Sequence, residues 1–139
     1  MAMETKMTMD VAGKAFAVWV AMAVLAVVNG IVRQSVLVPA LGEPIGRPMS
    51  AVSMLVIVYL LTWLWLAWTG RLSMGQLWMV GALWVVLTVI FESALGVWMR
   101  GMSVAEIAAT YNPFAPTLWF FVIVGILVAP PIVGALTRG

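Results

Sequence analysis

Four long apolar stretches, separated by short polar or broken segments, dominate the pattern of hydrophobic and polar positions along the chain. None of them shows the alternation of apolar and polar residues that is typical of a transmembrane β-strand. Each comes close to the roughly 20 apolar residues that a helix needs to cross the hydrocarbon core of a bilayer. In that core no water is available to the backbone, so each segment must satisfy its own hydrogen bonds. In a chain as short as this one, only a helix does so. The pattern therefore predicts four transmembrane helices, at about residues 15–32, 51–69, 77–98 and 118–136.

These segments predict an all-α membrane protein, a four-helix transmembrane bundle that forms a single integral membrane domain over residues 1–139. Residues 1–12 read as a polar tail. The first connection, residues 34–50, contains three prolines and two glycines, which disfavour a continuous helix. It is nevertheless too apolar for a solvated loop. We therefore expect a structured Pro/Gly-rich loop that lies against the membrane or the mouth of the bundle.

The third connection carries a second local signal. Ser103-Val-Ala-Glu106 is a capping-box pattern, which predicts a short interfacial helix that runs to about Thr110. The chain crosses the bilayer twice between the first and the third connection. Both therefore lie on the same face of the bundle.

Composition supports a membrane location. The chain is 65% hydrophobic and 9% charged, with a mean hydropathy of +1.14, whereas a soluble domain averages about 45–50% apolar and about 25% charged residues. It contains neither cysteine nor histidine, which removes thiolate chemistry and the most common general base and metal ligand. The sequence offers no P-loop, no activated nucleophile and no carboxylate cluster. We therefore predict no metal site, no cofactor and no enzymatic activity.

The few charged residues indicate how the chain is oriented in the membrane, and they do not indicate that it binds nucleic acid. The formal net charge is +2, and the basic residues are scattered, so the sequence carries no nucleic-acid-binding patch. Four basic residues lie on the tails and the second connection, and three on the first and third connections. Positive charge is enriched on the cytoplasmic side of membrane proteins. The count favours cytoplasmic termini.

Glu92 departs most from the apolar pattern, because it lies several residues inside the end of the third span. A charge at the centre of a span costs about 2.5–3.5 kcal/mol on insertion scales, and such residues face the bundle interior and find a partner. Arg33 ends the first span on the same side of the membrane, so we expect it to contact Glu92 directly. Asn29 and Thr88 lie one helical turn before these two residues. The predicted site is an intramembrane polar cluster of Asn29, Arg33, Thr88 and Glu92.

Two further residues are secondary candidates for this cluster. Arg100 is within reach of Glu92, although its place just past Trp98 favours a side chain that extends to the interface. Tyr111 follows the predicted short helix and could line the mouth of the site.

Short motifs also carry a resemblance to a known family. They are Asn29-Gly30-x-x-Arg33, Thr88-x-x-Phe91-Glu92 and Tyr111-Asn112. In these motifs the chain resembles a family of small, uncharacterised four-span proteins of the bacterial inner membrane. The resemblance implies a multi-pass fold in the bacterial inner (plasma) membrane, and it implies no reaction.

Two functions are compatible with these features. The first is a non-enzymatic packing or assembly role, as an accessory subunit of a larger membrane complex or as a homo-oligomer surrounded by membrane lipid. The alternative is a small proton-coupled transporter or channel that uses Glu92 and Arg33. A dry, fully paired Glu92 favours the first function. A cavity that reaches Glu92 from the loop side favours the second.

Overall fold

The structure is a computed structural model that describes residues 9–112, 114 and 118–137. Most of the predicted tail, residues 1–8, lies outside this part of the chain. The described residues contain no strand and form five helices: α1 (Met9–Leu41), α2 (Glu43–Thr69), α3 (Met74–Arg100), α4 (Val104–Thr110) and α5 (Trp119–Thr137). Except for α4, each helix is long and apolar enough to cross a membrane. By length and composition, the chain is an all-α, multi-pass membrane protein.

The first connection differs from the predicted loop. The helix α1 continues through it, with a π-helical turn at Arg33–Leu37, and Gly42 alone separates it from α2. Gly42 has a φ of 82°, which a residue with a side chain rarely adopts. Pro39 follows the π-helical turn, where the regular hydrogen-bond ladder is already interrupted, and Pro44 lies in the first turn of α2, where no N–H donor is needed. Residues 34–50 are therefore helical apart from one break.

The short helix α4 begins as the capping-box pattern predicts. The Ser103 hydroxyl accepts a hydrogen bond from the Glu106 N–H at 3.1 Å, and the Glu106 carboxylate accepts one from the Ser103 N–H at 3.0 Å. The Ser103 N–H first, and the Ser103 side chain second, favour the charged carboxylate and lower the pKa of Glu106 below its ordinary value of 4.5. On the inner face of α4, Ile107 packs against Gly96, which places α4 over the end of α3.

The four long helices form a ring in which α1 contacts α2 and α3, and α5 contacts the same two helices from the other side. Trp65 of α2 and Trp84 of α3 meet across the centre, edge to face, with ring centroids 5.3 Å apart. The Trp84 indole N–H donates to the Ala15 carbonyl at 2.9 Å and so joins α3 to α1. None of these three residues has exposed surface. We call Ala15, Trp65, Val80 and Trp84 the tryptophan layer.

The last helix, α5, stays helical through Pro130 and Pro131. Because Pro131 has no N–H, the Leu127 carbonyl lacks its usual helical donor. Gly81 of α3 lies directly opposite this carbonyl, and a Cβ at position 81 would collide with it. The missing side chain of Gly81 therefore allows α3 and α5 to approach closely, as small residues do between membrane helices.

Candidate functional site

A cavity of about 690 Å³ lies at the end of the bundle where α1 and α3 end and α2 and α5 begin. This volume lies within the roughly 300–1,000 Å³ that is usual for small-molecule sites. The predicted residues Asn29, Arg33 and Glu92 line it, and so do the secondary candidates Arg100 and Tyr111. The structure thus brings five of the six candidate residues to one cavity.

Arg33 belongs to a chain of hydrogen bonds between α1 and α2. Its guanidinium donates to the Ser50 hydroxyl at 3.5 Å, and this hydroxyl in turn donates to the Asn29 side-chain oxygen. Ser50 is only 1% exposed, so the chain of bonds lies inside the bundle. The Nε of Arg33 is also buried, and it has no hydrogen-bond partner. Arg33 therefore lines the cavity with a charged side chain whose buried Nε has no partner.

Glu92 forms its ion pair with Arg100, not with Arg33. An Arg100 Nη2 lies 3.6 Å from a Glu92 carboxylate oxygen. The two residues are about two turns apart on α3, so the long Arg100 side chain reaches back along its own helix. Arg33 instead turns toward Ser50 of α2, although its positive charge still acts on Glu92. The predicted direct contact between Arg33 and Glu92 is therefore replaced by one within α3.

Thr88 lies deeper than the other candidates and does not line the cavity. Its hydroxyl accepts a hydrogen bond from the Trp19 indole N–H at 3.1 Å, and the Trp19 ring packs edge-on against Phe91 at 5.7 Å. Thr88 lines a separate apolar void of about 20 Å³, which shares Glu92 and Trp119 with the large cavity. Thr88 therefore belongs to the packed region between the site and the centre of the bundle.

The sequence analysis missed two residues of the site, Arg47 and Ser50, because both fall in the segment predicted as a loop. Arg47 lines the cavity and pairs with Glu43 at 3.4 Å, one helical turn away. A signal for the helix was present, because small or apolar residues recur at every fourth position along α2. These are Gly46, Ser50, Met54, Val58 and Thr62, and all of them are buried.

The charged lining determines what the cavity can do chemically. Guanidinium groups from Arg33, Arg47 and Arg100 face one carboxylate, Glu92, so the lining carries a surplus of positive charge. Arginine is well suited to bind carboxylate, sulfonate or phosphate groups, because its planar fork donates two parallel hydrogen bonds. Within the described residues, no three acidic, histidine or cysteine side chains converge as a metal site would require. The arrangement can bind an anion, and Glu92 can take up or release a proton.

Comparison with known proteins identifies no relative: no family model, no curated protein and no solved structure matches the chain. The resemblance to small four-span proteins of the bacterial inner membrane therefore stays a prediction from its motifs.

Proposed function

We propose that the chain is one protomer of a small, non-enzymatic transporter of the bacterial inner membrane, with the large cavity as its binding site and Glu92 as its proton carrier. The observation that carries the proposal is the cavity itself, which reaches Glu92 from the end of the bundle. Glu92 keeps 21% of its side-chain surface exposed although it lies within a membrane-spanning helix. Intramembrane carboxylates in such positions commonly serve proton relays and substrate pathways.

One-sided access supports transport by alternating exposure. The cavity opens where the first and third connections lie, and the fully buried tryptophan layer stands between it and the opposite face. With cytoplasmic termini, as the distribution of basic residues favours, the cavity faces the outside of the cell. Four helices rarely enclose both a site and two gates, so we propose that the chain works as a homo-oligomer.

Proton movement tests this function. The protein is purified from native membranes at low detergent, and bound small molecules are identified by native mass spectrometry. These molecules are then supplied to proteoliposomes that contain a pH-sensitive dye. We expect ligand-dependent proton movement with the wild type and none with Glu92→Gln. The matched control is Asp10→Asn, which changes a carboxylate that is 70% accessible at the other end of α1 and should behave like the wild type.

Full proton movement by Glu92→Gln would contradict the role of Glu92. Ligand binding with no proton movement in the wild type would contradict coupled transport. Reporter fusions after Thr137 and in the turn at residues 70–73 test the orientation. We expect cytoplasmic signals from both positions, and external signals from both would reverse it.

A packing or assembly role is the second candidate, because α1 leaves most of its apolar surface exposed. Only 11% of the residues in its most apolar 18-residue window are buried, compared with 39% in α5. Such a surface is available to membrane lipid, a second copy or another subunit. A stoichiometric second protein in the same native purification would favour this role over transport.

A further inference from the structure

The cavity lining combines two surfaces that differ in chemistry. Arg33, at the π-helical turn of α1, and Arg100, at the end of α3, contribute guanidinium groups. Toward the bundle centre the lining is apolar, with Met54 from α2 and Trp119 and Val122 from α5. A molecule that fills the whole cavity must therefore present an anionic group at one end and an apolar body at the other.

The positive groups are not equally occupied. Arg47 is already paired with Glu43 in the first turn of α2. Arg33 donates one hydrogen bond to the neutral Ser50 hydroxyl, and its buried Nε has no hydrogen-bond partner. Arg100 is held by Glu92 at 3.6 Å, a long and half-exposed pairing. An incoming anion therefore meets an Arg33 guanidinium that pairs with no carboxylate within the described residues, and it competes with Glu92 for Arg100.

We infer, on the basis of the proposed transport function, that the cavity binds an amphiphilic anion between Arg33 and Arg100, and that this anion and a proton on Glu92 bind together. When Glu92 takes up a proton, it loses its negative charge and releases Arg100. The ligand's anionic group then occupies the donors that the carboxylate has left. Binding of the ligand and binding of the proton thus favour each other, as linkage requires.

Within the part of the chain that the structure describes, Glu92 is the only carboxyl group that lines the cavity. The charged or titratable side chains lining the cavity with it are Arg33 from α1, Arg47 from α2, Arg100 from α3 and Tyr111 after α4. The lining residues of α5, Trp119 and Val122, do not titrate. A change in affinity as the pH falls through the range in which a carboxyl group takes up its proton therefore reports on Glu92.

The experiment uses a probe whose own charge does not change with pH. We suggest a BODIPY-labelled alkyl sulfonate, and the same alkyl chain with a trimethylammonium group as the matched control. Binding is measured by fluorescence anisotropy on the full chain in phosphatidylcholine nanodiscs. We expect the sulfonate to bind at least tenfold more tightly than the ammonium compound. Equal binding, or tighter binding of the ammonium compound, would overturn the proposed ligand class without the use of any variant.

Variants then locate the anionic group. We expect Arg33→Gln and Arg100→Gln each to weaken sulfonate binding by about 10-fold to 100-fold, as loss of a charge-assisted hydrogen bond does. The matched control is Arg71→Gln, because Arg71 is exposed in the turn between α2 and α3. It should bind like the wild type. Wild-type affinity in both cavity variants, or equal weakening in Arg71→Gln, would overturn the placement.

The pH dependence tests the shared use of Arg100. We expect wild-type sulfonate binding to tighten as the pH falls through the range in which Glu92 takes up its proton. In Glu92→Gln, binding should be tight and independent of pH, because the amide cannot hold Arg100 as a carboxylate does. Unchanged pH dependence in Glu92→Gln would overturn the competition. Weaker binding of the sulfonate at acidic pH in the wild type would also overturn it.

Two sources could supply such an anion, a lipid headgroup or a free aliphatic acid. If phosphatidylglycerol in the nanodisc competes with the sulfonate, the lipid is the source. If it does not, a free amphiphile is. Sulfonate binding without transport in proteoliposomes would contradict the proposed function while it supports this ligand class. Transport of cations alone would support the proposed function and contradict this ligand class.

Discussion

The two halves of helix α3 meet very different surroundings. Toward its start, Leu77, Val80, Gly81 and Trp84 are buried against the neighbouring helices, and Trp84 belongs to the tryptophan layer. After Trp84, no residue of α3 is buried until Gly96, and from Glu92 onward the helix borders the cavity. One continuous helix therefore serves as packed core at one end and as the wall of a site at the other. In this helix, the residues that stabilise the bundle and the residues that border the candidate site therefore lie in different segments.

The chemical difference between the halves explains this division. In the tryptophan layer, the Trp84 indole N–H donates to a backbone carbonyl and the Trp65 indole N–H is fully buried, so neither group is accessible to a ligand. Around the cavity, Arg33 has an unpaired donor and the pairing of Arg100 with Glu92 is long. If the division is real, substitutions in the first half should change the free energy of unfolding, and those in the second should change binding.

Trp84→Ala should produce the largest loss of stability. It removes a fully buried indole and its hydrogen bond to Ala15. Large-to-small changes of this kind cost about 3–5 kcal/mol in soluble cores. Thermal unfolding in detergent measures the effect, with Trp98→Ala as control, because Trp98 is 83% exposed. Equal melting temperatures for the two variants would contradict the comparison.

Gly81→Ala should come next. The added methyl group would collide with the Leu127 carbonyl, and overpacking of a close contact typically costs about 1–3 kcal/mol. Gly13→Ala is the matched control, because a Cβ at this helical position meets nothing within 4 Å. We expect the control to be neutral or slightly stabilising, since alanine favours a helix. If Gly81→Ala melts no earlier than Gly13→Ala, the close approach of α3 and α5 is wrong.

The ion pair in the second half should contribute far less to stability. In a double-mutant cycle with Glu92→Gln and Arg100→Gln, we expect a coupling energy of about 0.2–1 kcal/mol, which is usual for half-exposed pairs. The parallel cycle with Glu92→Gln and Arg33→Gln should give less, because Arg33 makes its hydrogen bond to Ser50. A larger coupling for Arg33 than for Arg100 would restore the pairing predicted from the sequence.

Ser103→Ala should have the smallest effect, and one confined to the start of α4. Loss of the hydroxyl removes one half of the capping box, so the pKa of Glu106 should rise toward its ordinary value of 4.5. Because the pKa of Glu106 is lowered in the folded wild type, the stabilisation from its charged carboxylate is fully present above pH 4.5, its ordinary pKa. This stabilisation is lost as the pH falls through the lowered pKa. An NMR titration of the carboxyl group measures both variants. Identical pKa values would contradict the capping box.

The fold could be predicted from the sequence because length and hydropathy alone determine which segments can span a bilayer. The structure at the end of α1 could not be predicted in this way. The prolines and glycines of residues 34–50 indicate a loop, yet the π-helical turn at Arg33–Leu37 and the single break at Gly42 accommodate them in helices. Such a turn depends on contacts with α2, where a Cβ on Gly46 would lie 3.1 Å from the backbone of Leu37. These tertiary contacts leave no periodic signal in residues 33–41 themselves.

The site was predictable in position but not in pairing. Depth in the membrane can be read from the distance of Glu92 and Arg33 to the ends of their spans, and this placed both residues at one cavity. The partner of Glu92 depends instead on which way a long side chain turns. Arg100 was expected to extend to the interface and folds back to Glu92, while Ser50 attracts Arg33. Sequence spacing does not determine such side-chain directions.

The unequal lengths of the helices have a consequence for the surrounding bilayer. At 1.5 Å per residue, the 19 residues of α5 extend about 28 Å, whereas the 33 residues of α1 extend about 50 Å. The first length barely matches a hydrocarbon core of about 30 Å, and the second exceeds it. A bilayer that meets both helices must thin beside α5, or α1 must tilt. The protein should therefore respond to acyl-chain length, with longer lipids disfavouring the α5 side of the bundle first.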